Sequence, residues 1–543
     1  MNSVRKCGAL ILWLLVVVGG MWAQGPAATR HIGVTQDWSN RHIVFSRDGL
    51  LAHPEILKRE PRVLHAAMQR WQAPAQPALP VTAKATASST VSLAQSTRDW
   101  NVSLGTSHLA VDTFPAKYSF DPNLPPDCAN DFVVFGLTTP GVDGGQANLV
   151  AFNNLYSGTG GICGAAPTVL FAYNITTVPG GRITTSPILS DDGSKIAFVE
   201  SVPGAAAIFH VLTWARGEGT VTAAFHPTKM TSLTFSAAFS DTASSPWLDD
   251  FPDVVYVGAD SGSMYKISGV FRSTPTLTNV WPVTSNKYKL YSPVLDSTQG
   301  LLMVGSGNAS IYQIDTTTGI ATPHAIGTLG DKNSAVVAAP IIDVTNGTTF
   351  TLSADAGATA VLVELDTFSL QELARANIGE GALNATTGLF LYEPALDNNY
   401  YNNTSTGLIR TCGTGAADTS PWEYAFGFTG RNMKTNPSFS RQLSTSTAAR
   451  CTGWTEFFNP NIGGGTDFFF FGLTQDCVGT GTGASTGCVI SRGNNNVLTK
   501  AKVTGGPSAI TADNYSTSAQ AHSIYFSAVK ANLAYKFTQD TLQ

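Results

Sequence analysis

The chain has 543 residues, more than one ordinary hydrophobic core organises unless the protein is a repeat array or several domains. Only 13% of residues are charged, against a usual share of ~25%, while 43% are hydrophobic; this suits an all-β protein with many turns and argues against disorder. A net charge of −5 and a pI near 6.0 argue against a nucleic-acid surface, which needs clustered Lys and Arg.

The first stretch, "MNSVRKCGALILWLLVVVGGMWAQ", has the build of an export signal. Arg5 and Lys6 form a basic start, Ala9–Val18 an apolar run, and Ala23 a cleavage point before Gln24, which assigns residues 1–23 to a signal peptide. Met21 is bulky for its place and leaves the cut open; an uncleaved anchor is the alternative, although the run is short of the ~20 residues of a span. No later segment is apolar enough to cross a membrane, so an extracellular or periplasmic location is expected.

Cleavage removes Cys7 and leaves Cys128, Cys163, Cys412, Cys451, Cys477 and Cys488. An even number in an exported chain favours disulfides, and local order suggests Cys128–Cys163, Cys412–Cys451 and Cys477–Cys488 among several connectivities. No C-x-x-C pair occurs, which argues against a zinc ribbon.

Residues 24–75 form an N-terminal extension: "DWSNRHIVFS" suits a strand, and Leu64, Met68 and Trp71 after Pro61 mark one helix face. A loosely attached pro-segment is the alternative. Residues 76–97, rich in Ala, Pro, Ser and Thr, compose a linker.

From residue 98 the pattern is β throughout, and it repeats. "TSPILSDDGSKIAFVES" from Thr185 aligns with "SSPWLDDFPDVVYVGADSGSMYKI" from Ser244 and "YSPVLDSTQGLLMVGSGNASIYQI" from Tyr291. "AAPIIDVTNGTTFTLSADAG" from Ala338 and "YEPALDNNYYNNTSTGLIRTCGTG" from Tyr392 continue the series. The anchoring prolines are Pro187, Pro246, Pro293, Pro340 and Pro394. Flanking copies are set on Pro122, in "FDPNLPPDCANDFVVFGL", and on Pro460, in "FNPNIGGGTDFFFFGL"; a weak copy starts near Pro507.

Pro at the first residue of a strand loses no ladder bond, and Asp three residues on closes an Asx turn. Each unit holds about four strands of ~5–6 residues, and such sheets bury both faces only by stacking around an axis. The expected fold is therefore an all-β β-propeller of four-stranded antiparallel sheets over residues 98–543, with a partly helical N-terminal extension. An open β-solenoid is the alternative. "RDWNVSLG" at Arg98–Gly105 reads as a lone outer strand that closes the ring against the C-terminal "SIYFSAVKANLAYKFT" and makes eight blades; without that closure there are seven.

"LLMVGSGNASIYQIDTTTG" and "VVYVGADSGSMYKISG" resemble the quinoprotein-type (PQQ-like) propeller repeat, and "SPILSDDGSKIAFVES" also resembles the TolB-like repeat. The resemblance is clear over residues 185–370. It implies the fold, on which dehydrogenases, assembly scaffolds and binding platforms are all built. The tryptophans that recur late in each quinoprotein unit are replaced here by "GIATPHAIGTLG" and "SLQELARANIGEG". The adjacent cysteines of the methanol-dehydrogenase type are absent, and no residue maps as a Ca²⁺ or quinone ligand, so no cofactor and no metal are expected.

Three motifs reduce to turns. "GSGNAS" at Gly305–Ser310 precedes a strand rather than the helix that holds a pyrophosphate. "GASTG" at Gly483–Gly487 lies in a loop bracketed by Cys477 and Cys488 rather than on a strand-to-helix elbow. "SDDGSK" at Ser190–Lys195 has too few oxygens for a calcium loop. His31, His42, His53 and His65 bind metal only through folding that the sequence does not reveal.

The residue before each anchor proline is expected on an innermost strand beside the channel: Asp121, Ser186, Ser245, Ser292, Ala339, Glu393 and Asn459. The acids Asp121 and Glu393 suit a cation, a sugar or an acid/base pair, and the alternative is solvated channel lining. The leading expectation is an exported, monomeric, non-catalytic binding or scaffold propeller for a protein or glycan. The alternatives are a glycan hydrolase or lyase using channel carboxylates and a quinone-dependent oxidoreductase.

Overall fold

The computed structural model describes residues 35–39, 41–46, 50, 96–120, 126–158, 161–328, 335–354, 356–381, 391–459, 465–477, 486–493, 498–513 and 522–539. They form eight small antiparallel sheets arranged as an eight-bladed propeller, numbered here from blade 1 in chain order. The innermost strands of blades 1 to 4 are Ala116–Ser119, Ile188–Leu189, Trp247–Asp249 and Val294–Asp296. Those of blades 5 to 8 are Ile341–Asp343, Ala395–Leu396, Thr455–Asn459 and Thr511–Asp513. They all begin on one face of the ring, the leading face, and end on the other, the trailing face.

Blade 4 shows how the sequence builds the unit. Val294–Asp296 pairs with Leu301–Gly305, which pairs with Ser310–Asp315 and then Ala321–Ala325. Asp296 Oδ1 accepts from the Thr298 and Gln299 N–H groups at 2.9 and 3.2 Å and so fixes the first turn. "GSGN" is the next turn and joins two antiparallel strands. At Gly305 an added Cβ would lie 2.1 Å from the Val336 carbonyl oxygen, because the chain entering blade 5 crosses there.

The strands are apolar on both faces because each blade is covered on both sides. In Phe132–Gly136 of blade 1, Phe132 and Val134 pack with Ile196 and Phe198 of blade 2, while Val133 and Phe135 pack with Tyr525 and Ala534 of blade 8. Each such side chain contributes ~1.5–3 kcal/mol on burial. The core is therefore a series of seams.

The ring closes through Ser96–Ser103, which pairs antiparallel with Leu533–Gln539 and gives blade 8 its outer strand. That strand starts two residues before Arg98. Trp100 of this strand reaches blade 1, where its indole donates to the Leu155 carbonyl at 2.8 Å. Deeper in the same seam, buried Lys117 of blade 1 pairs with Asp513 of blade 8 and lies 3.9 Å from Asp131.

Two innermost strands carry an extra partner. Thr35–Gln36 runs antiparallel to Ile341–Asp343 of blade 5, and Ile43–Phe45 runs parallel to Ala116–Ser119 of blade 1. Blades 1 and 5 face each other across a ring of eight. The strand directions then define a hairpin that rises from the trailing face along blade 5, turns near the leading face, and descends along blade 1. The channel is filled by the protein's own N-terminal segment rather than lined by solvent. The helix expected from Pro61, the signal segment and residues 76–95 of the expected linker lie outside the described residues.

The structure corrects the repeat register at two blades. Blade 1 is headed by Pro115, not Pro122, and blade 7 by Trp454. In "FNPN" Phe458 and Asn459 end the innermost strand of blade 7, and in "FDPN" Phe120 directly follows that of blade 1, so Pro122 and Pro460, both outside the described residues, come after these strands in the chain and do not head them. Cys128–Cys163 ties two loops of blade 1, Cys412–Cys451 ties blade 6 to the chain entering blade 7, and Cys477–Cys488 ties the chain leaving Thr466–Leu473 of blade 7 to the neighbouring strand Thr486–Gly493. Among the described residues no helix is long and apolar enough to cross a membrane.

Candidate functional site

By strand register, the position before each innermost strand is held by Phe114, Ser186, Ser245, Ser292, Ala339, Glu393, Gly453 and Ala509. Five of these are residues expected from the sequence. Asp121 lies outside the described residues, and Asn459 ends its strand near the trailing face instead of heading it.

These positions form a belt. The Phe114 N–H donates to Ser186 Oγ at 3.0 Å, Ser186 N–H to Ser245 Oγ at 2.9 Å, and Ser245 N–H to Ser292 Oγ at 3.0 Å. Ala339 N–H donates to Glu393 Oε1 at 3.2 Å. Each link joins one blade to the next and is worth about 0.5–1.5 kcal/mol. The serine oxygens of the belt are therefore engaged in blade-to-blade bonds.

Glu393 departs from this pattern. Its Oε2 is buried with no hydrogen-bond partner, and a Cβ on Gly453 would stand 2.5 Å from it, so glycine makes its room. Burial, with the charges of Asp112 and Asp37 added, pushes the carboxyl up to about 7, against the pull of the Ala339 N–H. Near neutral pH it holds a proton about half the time. Burial also raises Asp112, which Lys289 opposes. Tyr392 is raised by burial, then by Asp112, Glu393 and Tyr291, with Arg450 opposing. Lys289 Nζ stands 5.2 Å from the Tyr291 ring centroid, and Arg450 donates to the Thr447 and Ala449 carbonyls at 2.6 and 2.7 Å. All six residues lie on segments leading into innermost strands, so they gather at the leading-face mouth.

Beneath the mouth sits the tip of the hairpin. Asp37 Oδ1 accepts from the Ser39 N–H at 2.9 Å and closes the turn. The Trp38 indole donates to the Pro293 carbonyl at 3.2 Å and meets the Trp247 ring edge-on at 5.3 Å. Arg41 places its guanidinium 3.6 Å over Trp247 and donates to the Leu248 carbonyl. His42 is stacked between Trp38 at 5.3 Å and Phe114 at 4.3 Å. Neither ring nitrogen of His42 has a hydrogen-bond partner. Burial, then Arg41, lowers it to about 3, so the imidazole is neutral.

Chemically, the mouth offers a half-protonated carboxyl, two phenols and mixed charges, a set suited to hydrogen-bonding a polar ligand. No group of three His, Cys, Asp or Glu among the described residues is placed to hold a metal ion. Elsewhere, His210 of blade 2 bonds Ser232 Oγ at 2.9 Å and Glu200 at 2.8 Å. This resembles a catalytic relay, yet Glu200 also accepts from the Thr177 and Val178 N–H groups at 2.9 and 3.2 Å. It thereby fastens the crossover from blade 1 to the second strand of blade 2, Lys195–Glu200.

The repeat does not reveal Asp112 or Arg450, which lie on connecting segments, whereas Tyr392 opens its unit as Tyr291 does and that shared tyrosine was a signal. The hairpin had one signal: "HIVF" is a strand without a neighbour to pair with in its own region, and an isolated strand needs a partner.

No protein-family model matches the chain, and no curated protein sequence does. Among solved structures, BamB from Moraxella catarrhalis is 11% identical, covering 82% of this chain and 98% of its own, with a TM-score of 0.46. The Dos1 propeller is 10% identical over 82% and 95%, with a TM-score of 0.49. A quinohemoprotein alcohol dehydrogenase from Pseudomonas putida is 10% identical over 82% and 76%, with a TM-score of 0.49. At these identities the likeness concerns the fold alone.

Proposed function

We propose that the protein is an exported, non-catalytic binding or scaffold propeller that takes a protein or glycan ligand at the leading-face mouth. The observation that carries this reading is the filled axis. A ligand lodged in the channel has to displace Trp38 and His42, whereas Tyr392, Glu393 and Arg450 lie above them. Export is supported by the signal-like N-terminus and by three disulfides that suit an oxidising compartment. The mouth suits a ligand rich in hydroxyl and carbonyl groups: protonated Glu393 donates, the Asp112 carboxyl accepts, and the phenols offer apolar faces.

The test is an array of glycans and peptides probed with the whole chain and with an Asp112→Asn, Glu393→Gln double variant. The reading expects captured ligands that the variant loses at a melting temperature no lower than that of wild type. Capture indifferent to the double substitution overturns it. Breakdown of a captured glycan overturns the non-catalytic part, as does dye reduction after reconstitution with the quinone and Ca²⁺.

A further inference from the structure

The hairpin in the channel is built like a docked peptide, a few apolar anchors (Trp38, Ile43, Val44 and Phe45) set among polar residues. Thr35, Gln36, Ser39, His42 and Ser46 are all buried polar residues in one short segment, whereas the blades bury mainly apolar side chains. The paired strands have only two and three residues. No disulfide ties the segment to a blade, and it continues to the outer strand of blade 8 through residues 51–95. Both nitrogens of His42 are buried without a partner, which weakens the docking by two unmade hydrogen bonds.

What holds the hairpin is the repertoire of peptide recognition. The edges of blades 1 and 5 supply main-chain pairing, which accepts any extended segment. Specificity comes from side-chain seats. One takes an indole, between the Pro293 carbonyl and the edge of Trp247. One takes a cation, between the face of Trp247 and Asp249, whose carboxylate attracts Arg41. A third takes apolar residues: Ile43 and Phe45 enter the seam of blades 7 and 8, while Val44 enters that of blades 1 and 2.

We propose that the channel is a docking site for an extended peptide of the pattern D-W-x-x-R-H-I-V-F, which residues 35–46 occupy in cis and exchange for the same sequence supplied in trans. The channel lies beneath the leading-face mouth, and different variants test the two readings: Asp112→Asn, Glu393→Gln for the mouth and Trp38→Ala for the channel.

The test uses a synthetic peptide of residues 33–47 carrying a fluorophore, and a second with a benzophenone in place of Trp38. Each is added to the whole wild-type chain and to the whole Trp38→Ala chain, in which the cis hairpin has lost its anchor. The folded variant is expected to bind the fluorescent peptide about tenfold or more tightly than wild type, at one peptide per chain. The benzophenone is expected to cross-link within blades 3 and 4. A folded variant that does not bind the peptide, or cross-links confined to the outer strands, overturns the proposal. Amide exchange on the wild-type chain is a second measurement that holds even where the variant does not fold. Hairpin amides that open before those of the blades support the proposal, and hairpin amides that open only with the whole ring overturn it.

Discussion

Replacing His42 by Phe isolates the pH dependence of the hairpin. In the docked state burial, then Arg41, holds the imidazole at about 3, against the ordinary 6.5 of a histidine in water. The docked pKa is depressed, so the neutral ring is the one the channel accepts. Above pH 6.5 docked and released forms bind the same number of protons and docking is at full strength. As pH falls below 6.5 the released form gains a proton that the docked form refuses, and docking weakens until about pH 3. At ~1.4 kcal/mol per pH unit the loss is about 2 kcal/mol at pH 5 and roughly 4 kcal/mol at pH 3. Arg41 is the charged group that acts on the ring, and Asp249 of blade 3 and Glu393 of blade 6 titrate in the same pH range. Burial raises Asp249 to about 6 and Glu393 to about 7, so acid strengthens their part of the fold. Their contribution is common to both proteins and cancels in the comparison. Phe keeps the stack between Trp38 and Phe114 without a titrating nitrogen. The assay is amide exchange of residues 35–46, corrected for the intrinsic pH dependence. Wild-type protection is expected to fall about 30-fold more than that of His42→Phe between pH 7.5 and 5. Parallel profiles would show that His42 takes up its proton inside the channel, which refutes the reasoning.

Gly305→Ala places a methyl 2.1 Å from the Val336 carbonyl oxygen, a backbone atom, so the crossover into blade 5 has to move; a loss of about 1–3 kcal/mol is expected in denaturant unfolding. Lys117→Met removes the cation from the seam of blades 8 and 1 and leaves Asp513 and Asp131 buried without it. A loss of about 3–5 kcal/mol is expected in the same assay, and a smaller effect than Gly305→Ala would contradict the view of this pair as a ring lock. Glu393→Gln tests the raised carboxyl. Its contribution to stability is full below pH 4.5 and is lost as pH rises through about 7, so the variant is expected to gain ~2–3 kcal/mol on wild type between pH 5 and 8, read from paired melting curves.

The repeat was legible because a blade leaves a strong local record. Runs such as "LLMVG" are apolar at every position because both faces are covered, and Pro293 and Asp296 punctuate the first strand on either side. The closure was legible for the same reason: "RDWNVSLG" had no sheet of its own to join. The register of blades 1 and 7 was not, since blade 7 has Trp454 where blades 1 to 6 have proline, and the two matching phrases come at the ends of the innermost strands instead of at their heads. The filled channel left no periodic trace. Strands of two and three residues are too short to show one, and their partners lie as far away as Asp343. The mouth was half legible: Glu393 stood out as an acid at a repeat position, while Asp112 and Arg450 lie on connecting segments that follow no repeat.

Equivalent positions in a ring of repeats carry the same structural load, so function is to be sought where one of them carries more. Ser186, Ser245 and Ser292 each spend their side-chain oxygen on the N–H of the preceding blade. Glu393 does the same with Oε1 and has Oε2 left over, in a space that Gly453 keeps open. A serine at this place would complete the belt with one oxygen, so the second oxygen answers no structural need. Glu393→Ser separates the two roles. The belt bond is expected to be retained, and the buried unpartnered oxygen is removed, so stability is expected to hold within about 1 kcal/mol of wild type near pH 7 or to rise. Capture of a leading-face ligand is expected to be lost. A variant that unfolds readily would mean that Oε2 has a structural role, and a stable variant that still captures the ligand would place recognition on the other residues of the mouth.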